Sequence, residues 1–285
     1  MLAPNPILYD SLIEAALKED LPFGDFTTEA LIPSDLKGLG VARAKEELVF
    51  CGFPVALSVF HKVDPELEVR PLVEEGSEVS AGEALLEVSG RVASILKAER
   101  VALNFMQHLS GIATLTRKFV KKLADLPVKV VDTRKTTPGL RVLEKYAVRV
   151  GGGSNHRFGL SEGILIKDNH VKACGGVKEA LARARTFSHV FRIEIEVKTL
   201  TELREAISAG AEAVLLDNMS LEELKEAVKL ARSLNPKIIL EASGGVTLEN
   251  VRAIAETGVD LISVGRLTHS ARAMDINLKI EKLFI

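Results

Sequence analysis

The apolar positions change period along the chain. Over residues 5–19 they fall at Ile7, Leu8, Leu12, Ala15 and Ala16, spacing that predicts a helix. Residues 38–50 read as extended, and 53–62 as a short helix opening near Pro54. Short strands with turns at Gly76 and Gly82 are predicted over 66–90. One or two helices follow over 92–124, with Gly111 as the expected break.

Beyond about residue 126, short apolar runs alternate with amphipathic stretches. The runs are VKVV (128–131), GILI (163–166), FRIEIEV (191–197), AVLL (213–216), KIIL (237–240) and LISV (261–264). Helices are predicted between them over 175–187, 199–209, 220–233 and 247–257. Near-continuous apolar strands joined by helices indicate a parallel sheet buried on both faces, and six or seven such units suit a barrel. The end of the chain, 274–285, is expected to return to the first domain as a strand or helix.

Composition narrows the class. Apolar residues are 47% and charged residues 27% of 285, as in globular proteins. A net charge of −2 argues against a nucleic-acid-coating protein. Cys51 and Cys174 are not in metal-ligand spacing, which fits a reducing cytoplasm. The N-terminus lacks a signal-peptide pattern, and no run approaches the ~20 apolar residues of a membrane span.

Polar residues concentrate where the barrel strands end. VKVV runs into Asp132-Thr133-Arg134-Lys135, GILI into Lys167-Asp168-Asn169-His170, and AVLL into Asp217-Asn218. FRIEIEV contains Glu194 and Glu196; KIIL runs into Glu241-Ala242-Ser243-Gly244-Gly245, and LISV into Gly265-Arg266. Strand C-termini of a parallel barrel open on one face, which holds the site. Lysines, an arginine and carboxylates meeting there fit a magnesium-bound polyphosphate. Each element has a plainer reading. An Asp after a strand is often a helix cap, a strand-end lysine also suits Schiff-base chemistry, and a Gly pair also makes a tight turn. Recurrence on successive strands favours the site. Ser243-Gly244-Gly245, before a predicted helix, is expected to cradle phosphate on backbone N–H groups. After Gly151-Gly152-Gly153, His156-Arg157 offers a planar donor for carboxylate.

DTRKTTPGLR (132–141), GGGSNHRFGLSEGILIKDNH (151–170), EIEV (194–197), LLDN (215–218), EASGGVT (241–247) and ISVGRLTH (262–269) closely resemble quinolinate phosphoribosyltransferase. GDFTT (24–28) and AERVALNFMQHLSGIAT (98–114) extend the resemblance to nearly the whole chain. It implies an α/β fold: an N-terminal α/β sandwich over 1–112, joined by 273–285, and a C-terminal incomplete β/α barrel over 113–272. It implies a transferase that converts quinolinate and phosphoribosyl pyrophosphate to nicotinate mononucleotide, pyrophosphate and carbon dioxide in NAD biosynthesis. Mg2+ and a homodimer or higher homo-oligomer with shared sites are implied as well. By the same resemblance Arg134, His156 and Arg157, with Thr133 beside them, hold the quinolinate carboxylates, and Arg100 reaches that pocket from the partner subunit. Lys135 and Lys167 lie near the pyrophosphate and dicarboxylate. Glu196 and Asp217 face ribose hydroxyls and magnesium. Ser243, Gly244, Gly245 and Gly265 form the 5′-phosphate cup. Glu196 is preferred over Glu194 because it lies 21 residues before Asp217.

Overall fold

The structure is a computed structural model that describes residues 3–187 and 189–284. Its strands are β1 (Lys37–Ala44), β2 (Leu48–Val49), β3 (Glu68–Pro71), β4 (Glu78–Val79), β5 (Ala84–Arg91), β6 (Lys129–Val131), β7 (Ile164–Ile166), β8 (Ile193–Val197), β9 (Ala213–Asp217), β10 (Ile239–Ser243), β11 (Leu261–Ser263) and β12 (Ile276–Phe284). Its α-helices are α1 (Asp10–Asp20), α2 (Phe26–Leu31), α3 (Phe53–Val63), α4 (Val92–Lys122), α5 (Arg141–Val150), α6 (Asp168–Cys174), α7 (Val177–Phe187), α8 (Leu200–Ser208), α9 (Leu221–Leu234), α10 (Val251–Ala255) and α11 (Arg266–His269).

The chain divides into two compact units. The first comprises the residues up to Arg117, Thr136–Gly152 and the segment from Leu267 onward. Its main sheet has strand order β12-β1-β5-β3. β12 runs antiparallel to β1, so the C-terminal segment returns as a strand; Ile285 lies outside the described residues. On α4, Ile95, Leu103, Met106, Leu109 and Ile112 are buried at helical spacing. Burying such side chains stabilises the fold by roughly 1.5–3 kcal/mol each.

Gly111 does not break α4, which continues for 31 residues. A Cβ at Gly111 would lie 2.0 Å from the Arg272 carbonyl oxygen, so glycine is required there for close packing. The stretch 136–152, assigned from sequence to the barrel, groups instead with the first unit. Its helix α5 turns Glu144 to His108 at 2.9 Å and Tyr146 Oη to Glu75 at 2.7 Å. Sequence periodicity marks a helix but not its partners.

The second unit comprises Lys118–Lys135 and Gly153–Arg266. Its six strands run parallel in the order β6-β11-β10-β9-β8-β7. This is the cyclic order of a barrel, left open between β6 and β7. Their connection carries its helix in the first unit, and a single parallel bridge, Val131 to Ser154, lies beside the gap. α7, α8 and α9 bury one face each through Leu181, Leu203, Ala206, Leu224, Ala227 and Ala231.

Candidate active site

Strand parity sets which residues the barrel encloses. Successive side chains point to opposite faces of a strand. In β8, Ile193, Ile195 and Val197 are buried, while Glu194 and Glu196 share the other face. Register places Glu194 beside Leu165 and Ala213, and Glu196 beside Leu215. It also places Glu241 beside Leu215, and Ser243 beside Asp217. Glu194, Ala213, Ile239, Glu241 and Leu261 line an interior cavity of about 380 Å3, so this parity faces inward. Glu194 and Glu196 therefore both face the interior. Glu196 stands one step nearer the strand C-termini.

At those C-termini, Lys167 follows β7 and its Nζ lies 2.6 Å from Glu196 Oε2. Asp217 ends β9, and Asn218 after it takes a left-handed backbone, φ 53°. The Asn218 N–H donates to the Ser243 carbonyl at 2.9 Å, tying the ends of β9 and β10 together. Neither Glu196 nor Asp217 caps a helix. Thr199 and Ser220 supply the caps of α8 and α9. Asp168 instead pairs with Lys198 at 2.8 Å, and that contact, more than the charges of Asp217 and Glu196, raises the Lys198 pKa. Lys198 is a third lysine at this mouth that was absent from the sequence-derived set. It directly follows β8, so the strand-end rule would have found it.

The side that carries Arg134 and Arg157 is built on Asp132, which is 0% exposed. Its Oδ1 accepts the His156 N–H at 2.9 Å and its Oδ2 accepts from the Asn155 amide. These bonds hold the Asn155-His156-Arg157 loop against β6. The Lys135 N–H donates to Thr133 Oγ1 at 3.0 Å within the neighbouring loop, where Arg134 and Lys135 are exposed. Burial, followed by the nearby Arg134 guanidinium, lowers the Arg157 pKa. The charges of Glu194 and Glu162 act in the opposite direction.

Both ring nitrogens of His156 face protein groups. Its Nδ1 accepts the Arg157 N–H at 2.7 Å. The ring proton therefore sits on Nε2, 3.1 Å from Glu194 and 3.5 Å from Glu241. His156, Glu194 and Glu241 place ligand-type atoms within 4.8 Å of one another. The protonated Nε2 nevertheless lacks the lone pair that a metal would need. In this arrangement His156 Nδ1 holds the Arg157 backbone and Nε2 faces Glu194. Glu241 is 1% exposed and neither carboxyl oxygen has a hydrogen-bond partner among the described residues. Burial, with the Glu194 charge second, pushes its pKa up to about 7. Parity was the available signal for Glu241, because Ser243 on the same strand had already been assigned to the mouth.

At Gly244, φ is +98° and a Cβ would lie 2.1 Å from Asn218 Oδ1, so only glycine fits. The expected helix does not open on this turn, since α10 begins only at Val251. Asn250 instead ties the loop, accepting from Thr247 N and donating to the Gly245 carbonyl. A phosphate here would meet loop N–H groups, not an aligned helix dipole. Gly265 follows β11 and leads into α11. Arg100 lies on α4 in the first unit with its side chain 56% exposed, and so is not among the residues gathered by the second unit.

The second unit thus collects separate anion-binding features around an acidic centre. The quinolinate phosphoribosyl transferase N-terminal domain profile matches residues 25–110, and the C-terminal domain profile matches 112–279. The chain is 44% identical over 280 residues to a probable nicotinate-nucleotide pyrophosphorylase [carboxylating] of Synechocystis sp., covering 97% of this chain and 94% of the relative. Among solved structures, NadC from Streptococcus pyogenes superposes with TM-score 0.93 at 41% identity, covering 98% of each chain. The nicotinate-nucleotide pyrophosphorylase of Francisella tularensis superposes with TM-score 0.92 at 40% identity, covering 99% of this chain and 98% of that one.

Proposed function

The chain belongs to the quinolinate phosphoribosyltransferase family, and from that premise we propose that it joins quinolinate to phosphoribosyl pyrophosphate. The products are nicotinate mononucleotide, pyrophosphate and carbon dioxide, a step of de novo NAD biosynthesis. The observation that carries this reading is the pairing of two unlike features in one barrel. Arg157, half-buried after the Asn155-His156 turn, feels the positive charge of Arg134 from the neighbouring loop, so the two guanidiniums present cationic groups to the same region. In the same barrel Lys167 pairs with Glu196, and Lys198 feels the charges of Asp217 and Glu196.

In this reading Arg134 and Arg157 grip the adjacent carboxylates, and Thr133 and Lys135 complete that loop. The grip points the pyridine nitrogen at ribose C1 and supplies proximity. His156 joins them at the carboxylates and fixes the Arg157 backbone through Nδ1. Lys135, Lys167 and Lys198 take up charge as pyrophosphate departs. Ribose C1 then becomes cationic, and the desolvated Glu196 carboxylate stabilises that charge with Asp217. Ser243, Gly244, Gly245 and Gly265 hold the 5′-phosphate. The quaternised ring nitrogen finally accepts electron density as the 2-carboxylate leaves, so no organic cofactor is required.

Glu196 and Asp217 are hard oxygen donors on the inward faces of neighbouring strands, and they fit a magnesium ion that keeps most of its waters. When bound, the ion would neutralise pyrophosphate charge. We further propose a homodimer in which Arg100, exposed in its own unit, completes the partner's site. No helix among the described residues is long and apolar enough to cross a membrane, and two free cysteines suit our placement of the reaction in the reducing cytoplasm.

The test is an assay of quinolinate with phosphoribosyl pyrophosphate, with and without magnesium, following pyrophosphate and carbon dioxide separately. Pyrophosphate and carbon dioxide in equal amounts are expected, only with magnesium present. Pyrophosphate without carbon dioxide would instead mark a non-decarboxylating transferase.

A further inference from the structure

Glu241 has no part in the scheme above, yet it occupies the centre of the barrel. It lines the same cavity as His156, Arg157 and Glu194. It is buried and its carboxyl group has no hydrogen-bond partner among the described residues. Ser263 Oγ, also buried and likewise without one, belongs to the register-paired neighbour of Ser243 on β11. An isolated carboxylate in such a place is costly, whereas a neutral carboxylic acid is not.

The loop that grips the dicarboxylate borders this cavity. Arg157 of that grip lines the cavity together with Glu241, and ring carbon C2 bears one of the gripped carboxylates, so in the binding mode proposed above C2 lies on the side of Arg157 that faces Glu241. A carboxylate beside a charged Glu241 would be repelled; beside a neutral one it would be accepted. When carbon dioxide leaves, the C2–carboxyl bond breaks and its electron pair stays on C2. A proton must then replace the lost group.

Resting on the proposed function, we propose that Glu241 enters the reaction as a neutral carboxylic acid and delivers its proton to C2 of the ring. The C2–H bond forms as the Glu241 O–H bond breaks. The resulting carboxylate recovers a proton from solvent before the next turnover. Other groups facing the cavity are less suited. Glu194 is already engaged by His156 Nε2 at 3.1 Å. His156 directs its one ring proton at those acids. Lys129 and Arg192 lie at the N-terminal ends of the strands. Lys167 is not among the residues lining the cavity, although its charge is felt at Glu241.

The variant that tests this is Glu241→Gln, which keeps the shape and a hydrogen-bond donor but has no transferable proton. Wild-type enzyme is first shown to release both pyrophosphate and carbon dioxide. If it releases neither, the proposed function itself fails. In single turnovers, Glu241→Gln is expected to release pyrophosphate while net decarboxylated product forms about 100-fold more slowly, because the C2 carbanion recaptures carbon dioxide. Equal slowing of both steps, or no slowing of either, overturns the assignment. Should the variant not fold, wild-type enzyme gives the answer across pH. Product formation relative to pyrophosphate release should fall as pH rises through about 7. A flat ratio would show that water supplies the proton and would end the proposal.

Discussion

Lys167 Nζ and Glu196 Oε2 lie 2.6 Å apart across neighbouring barrel strands, and their exposures differ sharply. The lysine side chain is 46% exposed and the glutamate 8%. The carboxylate has lost its water, while the ammonium reaches the mouth. With its ammonium end half-exposed and screened by solvent, the pair contributes little to stability, about 1 kcal/mol or less. The arrangement is better suited to a lysine that exchanges one anionic partner for another.

Replacing Lys167 with Ala should therefore lower kcat by about 10²–10³-fold, with a change in Tm too small to account for it. Rapid-quench measurement of pyrophosphate release is the direct test. A near-normal rate would remove Lys167 from the chemistry.

Arg134 and Arg157 hold like charges close together. In Arg134→Ala the quinolinate KM should rise by about 10–100-fold, matching the loss of a charge-assisted hydrogen bond of roughly 1.5–3 kcal/mol. The phosphoribosyl pyrophosphate KM should change far less. Titration calorimetry with quinolinate alone would expose an unchanged affinity.

Asp132 is buried and bonded to both Asn155 and His156. Asp132→Asn retains the shape but sets an amide donor against the Asn155 amide. A loss of about 2 kcal/mol in urea unfolding is expected, with a raised quinolinate KM from a loosened loop. Unaltered quinolinate binding in a destabilised protein would limit Asp132 to a folding role.

Glu241 has a folded-state pKa raised from 4.5 to about 7. The folded protein thus binds this proton more tightly than the unfolded chain. The associated stability is fully present below the unfolded value and is lost as pH rises through about 7. Glu241→Gln carries no such charge. It should match wild type near pH 4.5 and exceed it above pH 7 by about 1–3 kcal/mol. Denaturation midpoints at several pH values would reveal a constant difference if burial of the charge has no such effect.

Some of this was legible in the chain itself. Apolar runs at 213–216 and 261–264 and the amphipathic segments between them specify a buried parallel sheet, because only a strand covered on both faces is apolar throughout. Strand-end placement of Lys167 and Asp217 pointed to one mouth, since parallel strands must all end on the same side.

Residue spacing could not reach contacts between distant segments. Gly111 reads as a helix break in the sequence, but it serves the close approach of the Arg272 carbonyl to an unbroken α4. α5 looked like part of the barrel until Glu144 and Tyr146 were seen paired within the first unit. That His156 Nδ1 accepts from the Arg157 N–H while Nε2 faces Glu194 is likewise invisible to spacing, since Glu194 is distant in the chain. Local sequence fixes the period of a segment and therefore its type and its apolar face. Which distant polar group meets that face depends on register and on the closure of the sheet, both of which exist only once the whole chain has folded.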